Sequence, residues 1–155
     1  MTEALELVPL AISIGLVVSL LFSEFFGIAA GGMVVPGYLA LHLDQPLNVV
    51  MTLLAGLLTF GFVQGISSFA VIYGRRRTAF MILSGYFIGM VMRWAMQGWV
   101  SQQVPGVDII GFIVPGLIAI WLARQGIVET FASATVAAVV VRLVLILLAV
   151  EGLSV

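Results

Sequence analysis

Four stretches of the chain stay apolar over about the length that a helix needs to cross a membrane. The hydrocarbon core of a bilayer is about 30 Å thick, so a spanning helix needs roughly 20 consecutive apolar residues. Transmembrane strands alternate apolar and polar residues, whereas these stretches are apolar on every face. We therefore predict an all-α membrane protein. Its long segments are Leu5–Phe26, Leu47–Tyr73, Thr78–Val100 and Ile127–Val150.

The composition agrees with a chain whose surface faces lipid. Hydrophobic residues make up 63% of the chain and charged residues 8%, whereas ordinary globular domains are about 25% charged. The sequence contains no cysteine and a single histidine, His42, so it predicts neither a disulfide nor a cysteine- or histidine-ligated metal. We expect no catalytic residue, metal or cofactor in this chain, and no nucleic-acid partner.

Two further apolar stretches, Ile28–Leu43 and Ile109–Ala123, are shorter and carry Val-Pro-Gly in their middle. Proline lacks an N–H and fits the first turn of a helix, and the residue before it favours extended backbone. Each stretch is therefore predicted to enter as non-helical chain and to become helical at Pro36 or Pro115. Aligned at the prolines, the stretches also match at Gly32 and Gly111, Val35 and Val114, Gly37 and Gly116, and Ala40 and Ala119.

Each broken stretch lies between two long ones, so the chain reads as three segments repeated twice. We predict one transmembrane domain over residues 1–155, with repeats at about 1–73 and 78–155. If both broken stretches span, there are six membrane segments in two inverted three-helix repeats, which is the arrangement that we favour. If they are re-entrant hairpins, the repeats are parallel. Basic residues collect on the cytoplasmic side, so Arg75–Arg77 is expected there in both cases.

The two helix starts at the prolines are the main candidate site. A helix N-terminus carries free N–H groups and the positive end of the helix dipole, which favour an anion. Interrupted segments in corresponding places are typical of transporter sites. The alternative is that Pro-Gly only kinks two packed helices. The free N–H groups are expected at Gly37, Tyr38, Gly116 and Leu117.

Charged residues in or beside the apolar runs are the other candidates, because ionisable groups in a membrane are costly and usually paired or functional. Glu24 and Arg93 are the favoured ones, whereas Glu129 and Arg142 lie nearer helix ends, where long side chains reach the interface. The complete predicted path is Pro36, Gly37, Tyr38, Pro115, Gly116, Leu117, Glu24 and Arg93.

The basic run Arg75, Arg76 and Arg77 has two interpretations. It fixes topology and touches anionic lipid headgroups, or it docks an acidic cytoplasmic partner. Glycines four or five positions apart suit close helix packing in membranes. They are Gly56, Gly61 and Gly65, and Gly85 and Gly89.

Three motifs together resemble the PgsC/CapC family, the membrane subunits of bacterial poly-γ-glutamate capsule synthesis. The first is Gly31–Leu39, reading GGMVVPGYL, and the second is the basic turn Ile72–Arg77, reading IYGRRR. The third is Gly111–Ala119, reading GFIVPGLIA, followed by Gln125 and Gly126. Their order and spacing agree over about Phe22–Thr130, while both flanks match only as apolar helix.

The resemblance implies a multi-pass subunit of the bacterial cytoplasmic membrane and a set of partners. In that family a separate cytoplasmic ligase uses ATP to join glutamate through its side-chain carboxyl group, and a largely extracytoplasmic subunit is also required. ATP and a divalent metal are expected on that ligase, whereas this chain shows no Walker phosphate loop. The chain would anchor the ligase through Arg75–Arg77 and help the polyanion cross. The rivals are an independent carrier for an anionic solute, working as an oligomer, and a purely structural anchor.

Overall fold

The computed structural model describes residues 2–69, 74–99, 111 and 113–152. Every regular element in that part of the chain is a helix, which confirms the all-α prediction. The helices are α1 Thr2–Phe26, α2 Val35–Leu41, α3 Pro46–Phe69, α4 Arg75–Trp99, α5 Val114–Gln125 and α6 Ile127–Gly152. Ile72, Tyr73, Val100, Ile109 and Phe112, which belong to predicted segments or motifs, lie outside the described residues.

Four of these helices are long and apolar enough to cross a membrane, as the apolar runs predicted. Within the described residues the candidate spans are Val8–Phe26, Pro46–Phe69, Arg75–Gln97 and Ile127–Ala149. Large apolar side chains on them are exposed, for example Phe69 at 98% and Trp94 at 79%. Such exposure is unfavourable in water, but in lipid it places apolar groups against an apolar solvent.

The contacts divide the chain into two compact units. One unit contains α1, α2 and α6 from Val128 onward, and the other contains α3, α4 and α5. The long helix that follows each broken stretch therefore belongs to the unit of the other broken stretch. The sequence repeats and the compact units therefore group the helices differently: the repeats exchange α3 and α6 relative to the units.

Alanine, valine and methionine side chains form much of the interior of each unit. In the first unit Val18 of α1 packs with Ala40 of α2 and with Ala137 and Val141 of α6. In the second, Ala55 of α3 packs with Met96 of α4, and Val63, Met81 and Ile120 form a further cluster that joins all three helices. Small residues let helix backbones approach closely, which is how helices associate in lipid.

Three threonines within the long helices bond to the backbone of the preceding turn. Thr52 donates to the Asn48 carbonyl at 2.6 Å and Thr59 to the Ala55 carbonyl at 2.7 Å. Thr135 does the same with Phe131 at 2.7 Å. A hydroxyl that bonds back to the preceding turn leaves no donor unpaired in an apolar surrounding, so these residues do not interrupt the spans.

Candidate functional site

Pro36 and Gly37 lie in the first turn of α2, and both are buried. The backbone of Gly37 touches α1: a Cβ built on Gly37 would lie 2.8 Å from the Ala11 carbonyl oxygen. A Cβ built on Gly15 of α1 would lie 2.7 Å from the Gly37 nitrogen. Real Cβ atoms do not come this close to backbone, so only glycine permits the contact between α1 and α2 at these two positions.

The second half-helix, α5, makes the same kind of contact in its own unit. A Cβ on Gly85 of α4 would lie 2.5 Å from the Gly116 nitrogen, and a Cβ on Gly116 would lie 2.8 Å from the Ile82 Cα. On the other side of α5, Ile118 fills the space above Gly56 of α3, where a Cβ would meet its Cγ2 at 2.7 Å. Each Val-Pro-Gly glycine thus packs against a glycine of a long helix.

The chain enters both half-helices differently from the prediction. Val35 and Val114, the residues before the prolines, are helical rather than extended. Val34 and Ile113, which precede them, also have helical backbone angles, with φ and ψ of −94° and −26° and of −97° and −23°. The Tyr38 N–H donates to the Val34 carbonyl at 3.3 Å, and the Leu117 N–H to the Ile113 carbonyl at 3.1 Å. The helix therefore begins one residue before each proline.

The expectation that Tyr38 and Leu117 offer free N–H groups is consequently wrong. Both residues are in the fourth helical position, where the first regular backbone hydrogen bond of a helix forms. Gly37 and Gly116 precede that position, but their backbones face α1 and α4. A role of Pro36, Pro115 and these glycines in a product path stays a prediction, while their packing role is visible.

The non-helical segment before α2 is fixed by glycines and by two serines that the sequence analysis did not single out. Gly31 and Gly32 have φ of +74° and +121°, which favour glycine. Ser19 of α1 donates to the Gly32 carbonyl at 3.4 Å, and Ser133 of α6 lies 3.0 Å from the Ala29 carbonyl. Both serines are buried. An isolated serine in an apolar run was the available signal, because non-helical backbone in a membrane needs such partners.

The two charged path candidates belong to different units of the chain. Glu24 is exposed in the last turn of α1, and Arg93 is half-buried in α4. Among the described residues, no group of three histidine, cysteine, aspartate or glutamate side chains is placed to hold a metal ion.

Arg142 has a structural partner in its own unit. Its Nη2 donates to both carboxylate oxygens of Asp44, at 2.6 Å and 2.7 Å, and its Nη1 donates to the Ala40 carbonyl at 3.4 Å. Ala40 lies in the last turn of α2, where carbonyls lack helical partners and the dipole is negative. Arg142 therefore ties the end of α2 to α6, a contact that the sequence did not predict.

The three arginines form the first turn of α4 rather than a separate turn before it. Gly74, with φ of +65°, directly precedes α4, and its carbonyl accepts from the Arg77 N–H at 3.1 Å. Arg75 and Arg76 are exposed, whereas Arg77 is half-buried and its Nη2 donates to Gln64 of α3 at 2.8 Å. The run thus divides into two exposed charges and one charge held against α3.

Comparison with known proteins places the chain in a family. The family model described as Capsule biosynthesis CapC matches residues 14–131. The chain is 39% identical over 125 residues to the PGA biosynthesis protein CapC of Bacillus subtilis (strain 168), and 36% identical over 125 residues to the Capsule biosynthesis protein CapC of Bacillus anthracis. Each match covers 80% of this chain and 83% of the relative. No solved structure matches the chain.

The family match includes α2, α3, α4 and α5 and therefore both Val-Pro-Gly helices and the arginine run. It begins just before Gly15 of α1, so all four glycines of the paired backbone contacts fall inside it. Because the match covers most of the chain and agrees with both relatives, this chain belongs to the CapC family of capsule biosynthesis proteins.

Proposed function

We propose that this chain is the membrane subunit of a poly-γ-glutamate synthesis complex, that it holds the ATP-dependent ligase at the cytoplasmic face of the bacterial membrane, and that it helps the polyanionic product cross. The observation that carries the proposal is the family membership, since the two relatives are named for PGA and capsule biosynthesis. The four long apolar helices support a subunit that works inside the bilayer.

The topology that we propose is two inverted three-segment repeats with six membrane segments. The paired glycine contacts support a duplicated arrangement, because Gly15 meets Gly37 in one unit as Gly85 meets Gly116 in the other. At 1.5 Å per residue, the seven residues of α2 cover only about 10 Å of a core of about 30 Å. The non-helical chain before α2 must then provide the rest of that crossing.

The ligase contact is proposed at Arg75 and Arg76, which are adjacent and exposed at the start of α4. Exposed basic side chains attract an acidic partner surface over several ångströms and set its orientation. The largely extracytoplasmic subunit is proposed to bind at the opposite side of the membrane. Catalysis is assigned to the ligase, which brings ATP and the metal.

The product path is proposed to run beside the starts of α2 and α5. Tyr38 and Leu117 are half-buried there, so part of each side chain is accessible. The path would depend indirectly on the prolines and glycines that fix the positions of the two half-helices, which are Pro36, Gly37, Pro115 and Gly116. Glu24 and Arg93 complete the proposed path.

Deletion and complementation in the host bacterium test the proposal. Removing the gene should abolish extracellular poly-γ-glutamate, and a plasmid copy should restore it, with the polymer measured after hydrolysis to glutamate. Purified chain in vesicles without the ligase should neither make polymer nor carry glutamate. Polymer production that persists in the deletion strain, or glutamate uptake by the chain alone, would contradict the assignment and favour an independent carrier.

A further inference from the structure

An apolar groove of about 570 Å³ lies between α3 and α4. Gly61 and Phe62 line it on α3, and Phe87 and Val91 line it on α4. Phe62 and Phe87 are 52% and 66% exposed, so the groove opens to the surface of the unit. Its volume is in the range of ligand pockets, roughly 300–1,000 Å³. The residues that line it are apolar or glycine, so the groove suits an apolar ligand.

Gly61 keeps the groove open. A Cβ built on Gly61 would meet nothing within 4 Å, in contrast to Gly56 on the same helix, where Ile118 fills the space. Gly65 is equally open but does not line the groove. A side chain at Gly61 would therefore enter the groove with its Cβ in open space.

The same pair of helices also carries a positive charge, on Arg77 in the first turn of α4. Arg77 of α4 donates through Nη2 to Gln64 of α3 at 2.8 Å. Gln64 is three residues beyond Gly61, which is about 4.5 Å along the helix axis at 1.5 Å per residue. Gln64, which accepts from this guanidinium, thus lies about one helical turn from the groove lining on α3, while on α4 the first lining residue, Phe87, is ten positions or about 15 Å along the axis from Arg77.

One donor of this guanidinium is not satisfied. The Arg77 Nε is buried and has no hydrogen-bond partner among the residues that the structure describes. A buried unpaired donor on a charged group costs more than one on a neutral group. It therefore indicates an acceptor from outside the described chain, and an anionic oxygen is the strongest acceptor for a guanidinium.

We propose that an anionic phospholipid binds this unit, with its phosphate at Arg77 and one acyl chain in the groove between α3 and α4. A phospholipid joins an anion and an apolar chain in one molecule, which matches the charge and the groove that Gln64 and Gly61 bring together. A transmembrane helix of a second copy would have to supply a carboxylate beside Arg77, whereas lipid phosphates lie at the ends of spanning helices, and Arg77 is at the start of the candidate span Arg75–Gln97. The proposal does not depend on the function of the complex.

Native mass spectrometry of the full-length chain in mild detergent tests the proposal. The probes are phosphatidylglycerol and phosphatidylcholine with identical acyl chains, so that only the headgroup charge differs. We expect the wild-type chain to bind phosphatidylglycerol about tenfold more tightly, which corresponds to about 1.4 kcal/mol and is the scale of one charge-assisted hydrogen bond. Arg77→Gln should remove the preference, while Arg76→Gln, which changes a neighbouring exposed arginine, should keep it.

The groove is tested by a second matched pair. Gly61→Leu should weaken binding of both lipids severalfold, because leucine occupies the space of the acyl chain, and Gly65→Leu should leave binding unchanged. All variants must elute as single species of wild-type size, which excludes misfolding. Equal affinity for the two lipids, or equal binding by Gly61→Leu and wild type, overturns the proposal. Loss of a dimer in Gly61→Leu but not in Gly65→Leu, with unchanged lipid binding, would overturn the proposal and assign the groove to a second copy.

Discussion

Gly15 and Gly37 bring the backbones of α1 and α2 so close together that neither position has room for a Cβ. The Cβ of an alanine at Gly15 would lie 2.7 Å from the Gly37 nitrogen and 2.8 Å from the Gly37 Cα. Since the atoms in the way are backbone, they cannot rotate aside as a side chain would. The Val-Pro-Gly glycine of α2 is therefore a packing residue whatever else it does.

Alanine at these contacts should destabilise the fold. We expect Gly15→Ala, Gly37→Ala, Gly85→Ala and Gly116→Ala each to cost about 1–3 kcal/mol, the usual range for overpacking, even though alanine favours the helix by about 1 kcal/mol. The unfolding temperature in detergent measures the effect, for variants that first elute as a single species. Gly65→Ala is the matched control, because nothing lies within 4 Å of its Cβ, and it should be neutral or slightly stabilising.

Valine at Gly37 and Gly116 separates packing from passage of product. If the glycines only pack, protein level and polymer output should fall together in Gly37→Val and Gly116→Val. Polymer made per assembled complex is the quantity to compare. Normal expression and ligase association with a steep loss of polymer would instead assign both glycines to the product path.

Removing the ion pair between Arg142 and Asp44 should loosen α2 from α6. Arg142→Gln loses both carboxylate contacts and weakens the bond to the Ala40 carbonyl, so it should lower the unfolding temperature more than Asp44→Asn. The Asp44 side chain is 69% exposed, so we expect a coupling of about 1 kcal/mol or less in a double-mutant cycle. A coupling of zero between Arg142 and Asp44 would mean that Arg142 stabilises the protein only through its bond to the Ala40 carbonyl at the end of α2. Glu129→Gln, at an exposed site on α6, is the control.

Hydropathy was enough to predict the four long helices, because an uninterrupted run of about 20 apolar residues has the length of a helix that spans a bilayer. It could not distinguish Gly56 and Gly85, which pack, from Gly61 and Gly65, which are open. All four have similar spacing, and spacing along one helix does not reveal which face another helix will cover.

Contacts between distant segments were the other part that sequence did not reveal. Asp44 and Arg142 are 98 positions apart, and nothing local marks them as partners. The N–H groups of Tyr38 and Leu117 were assigned wrongly for a different reason. The preference of a residue before proline for extended backbone was outweighed at Val35 and Val114 by the first helical hydrogen bonds.

The inverted repeat predicts the side of the membrane on which the C-terminus lies. If both broken stretches span, both termini are extracytoplasmic while Arg75–Arg77 is cytoplasmic, in keeping with the preference of basic residues for that side. Phosphatase and fluorescent-protein fusions after Val155 report the location, since each is active on one side only. A cytoplasmic C-terminus would leave two re-entrant hairpins and exclude the inverted repeat.

The exposed pair of arginines should be the part of the basic run that the ligase needs. Arg75 and Arg76 are exposed, whereas Arg77 is bonded to Gln64. We expect Arg75→Gln with Arg76→Gln to reduce recovery of the ligase by about tenfold, the effect of losing about 1.4 kcal/mol, and Arg77→Gln to reduce it much less. Co-purification from detergent measures recovery, and wild-type binding should weaken as salt is raised, because exposed charges are screened.

Arg124→Gln, which removes a charge beside Trp121 at the end of α5, is the control. Full ligase recovery combined with altered fusion reporters would show that the two arginines only orient the chain in the membrane.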